Sequence, residues 1–426
     1  MEDAGEWRWK GRFFTIWSGQ ALSLMGSALV RFALIWWMTE TTGSATVLAM
    51  ATLVASLPPT LLGPLVGTLV DRWTRRWIMV CADAAIALFT AVLAYLYWRG
   101  TVEIGHIYAI LFLRAFGTAF HGPAMVASTT LMVPQEQLTR VAGMDQTRDA
   151  MTRIAGAPLG ALLVTLLPIQ GILAIDIATA LLAIVPLLFI DVPQPVTAAP
   201  PDRAGGGGWS AVIQEMREGF RYLWRWRGLF IMIVSVSVTP FFHRPASSLR
   251  PLLISDHFGG GPVEWGWASA TFGLGSVVGG LLMSTWGGFR RRFVTMASGL
   301  LVFAGVNLVR GLAPANAFWL YLVATFLAGP ATAMNSASLR AIMQSTVPPE
   351  MQGRVFSLRT SLFRGMAPLG LAVLGPLADL TGVRPIFVMD GVACLLVLLT
   401  WTLTPSVRNL EHGPPEQARV GDVPRS

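Results

Sequence analysis

The stretch Gly67-Thr-Leu-Val-Asp71-Arg-Trp-Thr-Arg75-Arg-Trp carries the strongest structural signal in this chain. It is a short cationic segment between two apolar runs, Ala45–Val70 and Ile78–Tyr97. Each run is long enough to cross the hydrocarbon of a bilayer, which takes about 20 residues of helix. The segment is therefore predicted to be a tight loop between two membrane spans. Asp71 is expected at the end of the first span, where a carboxylate can pair with the arginines.

The composition indicates a protein with many membrane spans. The chain has 426 residues, of which 54% are hydrophobic and 13% charged, and this length allows about a dozen spans with short loops. A net charge of +8 would suggest nucleic acid in a soluble protein, but the basic residues of a membrane protein concentrate on one side of the bilayer. We therefore expect a lipid bilayer around the chain and no nucleic-acid partner.

The scarcity of lysine and cysteine limits the possible chemistry. Lys10 is the only lysine, and a nucleotide-binding P-loop requires a lysine on the phosphates. We therefore expect no ATP hydrolysis and no cofactor, with an ion gradient as the energy source. Cys81 and Cys394 both lie inside apolar runs and are interpreted as small core residues, so we expect neither a disulfide nor a metal site.

Charged residues inside the predicted spans of the first half are candidates for coupling or substrate contact. A charge in a span costs about 2.5–3.5 kcal/mol on insertion scales unless it faces a cavity or a partner. Arg31 and Arg114 lie deep in helices 1 and 4, and a structural ion pair is the alternative for each. In helix 5, Asp149 and Arg153 are four residues apart and can pair on one helix face, so an ion-paired helix end is the alternative there. The candidate set is Arg31, Arg114, Asp145, Asp149 and Arg153.

The cationic loop and helix 3 supply candidates for gating at the inner face of the membrane. Asp83 lies one to two helical turns beyond the loop, so an ion pair with Arg75 or Arg76 is the structural alternative to a gating role. The gating set is Asp71, Arg72, Arg75, Arg76 and Asp83.

A third set is predicted to line a substrate cavity. His243 and Arg244 precede Pro245 in helix 7, and a proline in a membrane helix often marks a bend beside a cavity. A position near the external surface is the alternative for these two residues. With three aromatic residues added for apolar contacts, the cavity set is Trp36, Trp37, Phe120, His243 and Arg244.

The second half of the chain repeats the first. Val347-Pro-Pro-Glu-Met-Gln-Gly-Arg-Val matches Val133-Pro-Gln-Glu-Gln-Leu-Thr-Arg-Val at an offset of 214, and Asp390 matches Asp176 at the same offset. These two aspartates open the final helix of each half and are interpreted as capping or packing residues. Basic residues are few on the outer side, and Arg310 is assigned to one of the outer loops.

A linker separates the two halves. From Val192 the chain is rich in proline and then in glycine, and residues 210–227 have one apolar and one charged face, as in a helix lying on a membrane surface. The predicted domains are a six-helix bundle (1–190), a cytoplasmic linker with an amphipathic helix (191–227), a second six-helix bundle (228–404) and a cytoplasmic tail (405–426).

Several motifs resemble the major facilitator superfamily of transporters. The pattern Gly-x-Leu-x-Asp-Arg-x-x-Arg-Arg in the opening stretch resembles the signature between helices 2 and 3 of that superfamily, and Arg114 resembles the helix 4 arginine of its antiporters. Gly156-x-Pro-x-Gly resembles a shortened form of their helix 5 signature. The stretches Met38-Thr-Glu-Thr-Thr-Gly-Ser-Ala and Gly117-Thr-Ala-Phe-His-Gly-Pro-Ala resemble the macrolide efflux branch, which includes siderophore exporters such as the enterobactin exporter.

This resemblance implies an all-α membrane protein with twelve transmembrane helices in two six-helix halves, the major facilitator fold. It also implies a secondary active efflux transporter, a proton-coupled antiporter that exports a bulky apolar drug such as a macrolide. The alternative cargo is an endogenous siderophore or another secondary metabolite. A membrane-embedded enzyme or scramblase would be expected to contain a cluster such as His-Glu-x-x-His. The sequence lacks such a cluster, so we do not expect an enzyme.

The resemblance carries further expectations about setting and partners. We expect a multi-pass protein of the bacterial inner membrane. Because no cleavable signal precedes the first span, the amino terminus is expected in the cytoplasm, and the excess of basic residues on one side of an even number of spans fits both termini there. The expected partner is a small-molecule substrate, the expected energy source is a proton gradient, and the expected state is a monomer.

Overall fold

The computed structural model describes residues 2–192, 217 and 220–412; the side chains of residues 2–8, 64, 65, 67, 68, 71, 72 and 350 lie outside this description. The described chain is helical, and its first half contains six long helices. They are α1 (Glu2–Thr42), α2 (Ala45–Arg72), α3 (Arg75–Arg99), α4 (Ile104–Met132), α5 (Leu138–Leu166) and α6 (Ile169–Phe189).

The second half contains six further long helices and two short ones. They are α7 (Arg227–Ser248), the short α8 (Arg250–Asp256), α9 (Pro262–Trp286), α10 (Arg292–Leu312), α11 (Phe318–Thr346), α12 (Pro349–Thr381), α13 (Arg384–Leu403) and the short α14 (Pro405–Arg408). Residues 220–225, at the end of the predicted amphipathic helix, are helical. The rest of that linker, apart from residues 191, 192, 217, 226 and 227, lies outside the described residues, as does the tail from residue 413.

The helix count agrees with the predicted fold class. Ten helices in the described chain are long and apolar enough to cross a membrane. Two more, α5 and α11, are each 29 residues long, which exceeds the length that a span needs, although they are more polar. Together they make twelve long helices, six in each half, and the prediction of an all-α membrane protein is confirmed.

The opening stretch forms the tight connection that the sequence predicts. α2 ends at Arg72 and α3 begins at Arg75, so only Trp73 and Thr74 lie between the two helices, both in extended conformation. The Trp73 backbone N–H donates to the Leu69 carbonyl oxygen, which satisfies one of the free carbonyl groups at the end of α2.

By their contacts the helices form two compact units. One takes in residues 2–192 and 250–270, and the other takes in residues 220–249 and 271–412. In the first unit α1 lies against α5 and α6, and α3 lies against α4 and α6. In the second unit α7 lies against α12 and α13, and α10 lies against α11 and α13. The second set of contacts repeats the first helix by helix, as an internally duplicated transporter requires.

Each unit has its own apolar core. Phe13 and Met79 are fully buried in the first unit, and Trp401 is fully buried in the second. Because lipid tails are as apolar as these side chains, close van der Waals packing holds membrane helices together. One close approach joins α9 to α11, where a Cβ atom on Gly329 would lie 2.1 Å from the carbonyl carbon of Gly275, so neither position has room for a side chain.

Candidate functional site

Four helices of the first unit meet at a buried carboxylate, that of Asp176 on α6. Its side chain is completely buried. Arg114 of α4 donates from Nη1 to Asp176 Oδ2, and Thr90 of α3 donates to the same oxygen at 3.0 Å. Ser27 of α1 donates to Asp176 Oδ1 at 3.1 Å. Both carboxylate oxygens are therefore hydrogen-bonded and the guanidinium supplies the opposite charge, as a buried ion pair requires.

Of the two roles predicted for Asp176, capping and packing, this geometry rules out capping. Because α6 begins at Ile169, Asp176 lies about two turns inside the helix, beyond the free N–H groups of the first turn. It is instead the partner of Arg114, which is 8% exposed. The structural ion pair weighed for Arg114 is therefore present, and a coupling role for this residue stays a prediction.

Arg31 borders a small cavity close to this cluster. It lies on α1, four residues after Ser27, and shares a cavity of about 190 Å³ with Arg114 and Thr118. Unlike Arg114, Arg31 forms no ion pair or hydrogen bond with another described residue. Two guanidinium groups thus border one cavity, while the single carboxylate of Asp176 neutralises only one of them.

The charged residues of α5 form an ion-paired cluster in the first half of that helix. Arg148 lies 3.0 Å from both Asp145 and Asp149. Trp17 of α1 donates from Nε1 to Asp145 Oδ1 at 2.8 Å. The predicted pair of Asp149 with Arg153 is wrong, because Arg148 holds both carboxylates and the Arg153 side chain is exposed. Their coupling roles stay predictions.

Arg75 and Arg76 attach the start of α3 to neighbouring helices. Arg75 is buried, and its Nη1 donates to the Ala127 carbonyl oxygen of α4 at 2.7 Å. Arg76 donates from Nε to the Leu187 carbonyl oxygen at 2.5 Å and pairs with Asp191 at 3.0 Å. Leu187 belongs to the last turn of α6, so the Arg76 guanidinium also meets the negative end of that helix dipole.

Asp83 has other partners than the arginines at the start of α3. It is 4% exposed, it accepts a hydrogen bond from Gln20 Nε2 at 2.8 Å, and His121 Nε2 lies 3.5 Å from its Oδ2. The predicted ion pair with one of those arginines is therefore wrong, because both are bonded to carbonyl groups of α4 and α6. The side chains of Asp71 and Arg72 lie outside the description, and the gating roles stay predictions.

The second unit contains a cavity of about 350 Å³, bordered by residues of α7, α10, α11, α12 and α13. His243 and Arg244 of α7 both border it, so the structure places these two predicted residues on a cavity wall. Arg359 of α12 borders the same cavity, and sequence reasoning did not select it. Phe303 and Phe363 add apolar surface to the wall.

His243 also contacts a buried carboxylate. Its Nδ1 lies 2.9 Å from Oδ2 of Asp390 on α13. Asp390 is completely buried, whereas the His243 side chain is 32% exposed. Asp390 lies inside α13, which begins at Arg384, so it is not a helix cap either. The imidazole therefore connects a buried carboxylate to the cavity of the second unit.

The aromatic residues predicted for the cavity do not lie together. Trp36 is buried beside Trp265, with 6.1 Å between ring centroids, and Trp37 lies edge-on against Tyr97 at 5.3 Å. Phe120 borders a separate cavity of about 770 Å³. All three rings belong to the first unit, whereas the histidine and arginine predicted with them belong to the second.

Arg310 is a buried residue that the sequence assigned to an outer loop. α10 continues to Leu312, and Arg310 is 1% exposed inside it. It donates from Nη1 to Asn307 Oδ1 at 3.1 Å and from Nε to Thr325 Oγ1 at 3.3 Å. Its guanidinium lies 5.8 Å from the centre of the Tyr321 ring. The loop assignment is wrong, and this arginine connects α10 to α11.

Two solved membrane transporters have the same fold as this chain. The nucleoside transporter NupG superimposes with a TM-score of 0.65 and 11% identity, over 91% of this chain and 97% of that one. A bacterial metal transporter superimposes with a TM-score of 0.65 and 14% identity, over 92% of this chain and 98% of that one. At such identities the likeness shows the fold alone.

Sequence comparison gives a closer relationship. The family of transmembrane secretion effectors matches residues 9–415. Macrolide efflux protein A of Streptococcus pyogenes is 34% identical over 407 residues, which cover 95% of this chain and 98% of that protein. The multidrug efflux pump Tap of Mycobacterium tuberculosis is 25% identical over 420 residues, which cover 95% of this chain and 96% of that protein.

The chain belongs to the major facilitator superfamily, in the transmembrane secretion effector family and its macrolide efflux branch. The resemblance predicted from its motifs is confirmed. It is an efflux transporter that crosses the bacterial membrane many times, and it is not an enzyme.

Proposed function

We propose that this protein is a proton-coupled antiporter that exports a bulky, mostly apolar compound such as a macrolide. The observation that carries this cargo is the 34% identity to Macrolide efflux protein A over 98% of that protein. Buried carboxylates in each unit support proton coupling, because a carboxylate that gains or loses a proton changes the charge of a low-dielectric site. Rocking of the two halves would then exchange protons for cargo.

Arg31 and Arg114 form the core of the proposed coupling site. Protonation of Asp176 would remove the negative charge that Arg114 faces, and the cavity shared with Arg31 would then hold two uncompensated guanidinium groups. Asp145 and Asp149 are a second proposed proton site, in which Arg148 competes with the proton for the carboxylates. Arg153 belongs to this proposed group by its position on the same helix.

Gating and topology complete the proposal. The residues proposed for inner-face gating are Asp71, Arg72, Arg75, Arg76 and Asp83. The hydrogen bonds from Arg75 to α4 and from Arg76 to α6 support this role. If α3 moves, it must either break these bonds or move the bonded helices with it. We propose that His243 and Arg244 line a substrate cavity in the second unit, and that Trp36, Trp37 and Phe120 supply apolar contacts in the first unit. We also propose that the protein works as a monomer without ATP or a cofactor, with both termini in the cytoplasm.

Accumulation of a radiolabelled macrolide in a pump-deficient bacterium tests this function. Cells that express the chain are expected to accumulate less drug, and a protonophore is expected to restore accumulation. If export survives a protonophore that collapses the proton gradient, proton coupling is ruled out. If expression never lowers accumulation of any macrolide, the proposed cargo is ruled out.

Two substitutions test the coupling residues in the same assay. Arg114→Ala and Asp149→Asn are each expected to abolish export while the protein remains in the membrane, as an immunoblot of membranes would show. Arg99→Gln is the matched control, because Arg99 is exposed at the end of α3 and belongs to none of the proposed sets. Full export by both coupling variants would remove these residues from the mechanism.

A further inference from the structure

We propose that the cavity of the second unit binds the anionic group of an amphipathic organic acid through Arg244 and Arg359. At about 350 Å³ the cavity is within the usual size of small-molecule sites. The inference concerns a ligand of this cavity and does not depend on which compound the protein exports. Ligand binding to this cavity can be measured on the purified protein without any transport.

Both guanidinium groups border the cavity without a carboxylate of the protein as partner. Within the part of the chain that the structure describes, neither Arg244 nor Arg359 forms an ion pair, and Arg359 Nε is buried with no hydrogen-bond acceptor. Arg340 of α11 adds a further positive charge that acts on Arg359. Cationic groups inside a membrane protein are costly unless they face a cavity that can admit water or an anion.

Asp390 does not neutralise these charges. It is completely buried, its Oδ2 lies 2.9 Å from His243 Nδ1, and it does not border the cavity. In the first unit, by contrast, Asp176 pairs directly with Arg114. A carboxylate carried by a ligand would supply the missing charge, and guanidinium groups suit it because they bind carboxylates through two parallel hydrogen bonds.

The remaining wall defines the body of the ligand. Phe303, Phe363 and Trp401 border the cavity, and the Arg359 guanidinium lies 5.9 Å from the centre of the Phe363 ring. Asn335 and Ser336 of α11 add groups that can donate hydrogen bonds to an acid oxygen. An acid joined to an aromatic or other apolar body satisfies both parts of this wall, whereas a cationic compound would meet two like charges.

Three probes with one apolar body and different charge test the site by calorimetry on the purified full-length protein. They are 2-naphthoate, the neutral 2-naphthamide and the cationic 2-naphthylmethylammonium. We expect 2-naphthoate to bind at least about tenfold more tightly than the amide, as one charge-assisted contact implies, and the ammonium compound to bind most weakly. Equal binding of the acid and the amide would overturn the proposal.

Single substitutions assign the binding to the two arginines. Arg244→Gln and Arg359→Gln are each expected to weaken 2-naphthoate binding about tenfold, with little effect on the amide. The matched control is Arg364→Gln, because Arg364 is exposed on the same helix as Arg359 and does not border the cavity. An equal loss in the control would mean a general effect of charge and would overturn the site.

Two further measurements keep the outcomes separate. If Arg359→Gln fails to fold, Arg359→Lys keeps the charge and is expected to keep the preference for acid over amide, and Arg244→Gln is read independently. A protein that binds 2-naphthoate with these dependences but exports no macrolide would retain the anion site and lose the proposed function. A protein that exports macrolide but does not bind the acid more tightly than the amide would retain the proposed function and overturn the anion site.

Discussion

Matching carboxylates have different partners in the two units. Asp176 and Asp390 stand 214 residues apart at equivalent positions of the two halves, and both side chains are completely buried. Asp176 pairs with Arg114, whose guanidinium keeps its charge at any physiological pH. Asp390 pairs with His243, and imidazole is the side chain whose charge changes between about pH 5 and 8.

The difference shows that two duplicated helix bundles can both keep a buried carboxylate while its charged or titratable partner changes. A buried carboxylate beside arginine is stabilised in its charged form, because a neutral acid would leave the guanidinium without a counter-charge. A buried carboxylate beside histidine differs, since an imidazole can donate a hydrogen bond in its neutral form as well as in its charged form. The first unit therefore pairs its buried carboxylate with a guanidinium, and the second pairs its own with an imidazole.

Asp176→Asn is expected to have the largest effect on stability. The substitution leaves Arg114 buried and charged without a partner, which typically costs about 3–5 kcal/mol. Denaturant unfolding of the purified protein measures the loss. The double variant Asp176→Leu with Arg114→Met is expected to recover most of it, because it removes both charges. If the single variant lost less than about 1 kcal/mol, Asp176 and Arg114 would not form a buried ion pair.

Asp390→Asn is expected to cost less, about 2 kcal/mol. A neutral His243 can still hydrogen-bond the new amide, so the substitution weakens one buried polar contact and leaves no charge stranded. The same unfolding experiment compares the two asparagine variants directly. Equal losses in both units would mean that His243 is held charged as firmly as Arg114, and the contrast between the units would disappear.

The membrane spans and the charged residues inside them could be predicted from the sequence, because both can be recognised from local composition. Hydropathy over about 20 residues identifies a membrane helix, and an arginine within such a run stands out. The partners could not be predicted in this way. Asp176 lies 62 residues from Arg114, on a helix whose position depends on how the whole bundle packs.

The wrong pairings came from local rules that tertiary contacts override. Spacing of four residues favoured a pair of Asp149 with Arg153, yet Arg148 reaches two carboxylates, one of which Trp17 of another helix also contacts. Arg310 was assigned to an outer loop when the basic residues were divided between the two sides of the membrane. In the structure α10 continues past Arg310, whose guanidinium donates to Asn307 on the same helix and to Thr325 on α11.

Thr90→Val tests how much the neutral hydrogen bonds add to the ion pair of the first unit. Thr90 accepts from Arg114 and donates to Asp176, so its loss is expected to cost about 1 kcal/mol. The matched control is Thr179→Val, because Thr179 donates only to the Asp176 backbone carbonyl oxygen within its own helix. A larger loss in the control would show that shape at these positions matters more than the hydrogen bonds to the ion pair.

Asp191→Asn is expected to have the smallest effect, within about 0.5 kcal/mol. Asp191 pairs with Arg76 at 3.0 Å, but its side chain is 89% exposed, so water screens the pair and replaces it at little cost. The free energy of unfolding of the variant and of the unsubstituted protein should be measured at low salt and at about 1 M salt. At the higher concentration the difference between the two proteins should vanish, since the Debye length falls to about 3 Å. A loss as large as that of Asp176→Asn would mean that distance alone sets the strength of an ion pair. A small loss would show that burial separates the pair of Asp176 from that of Asp191, because Arg114 cannot turn to water when its partner is removed, whereas Arg76 keeps its bonds to the end of α6.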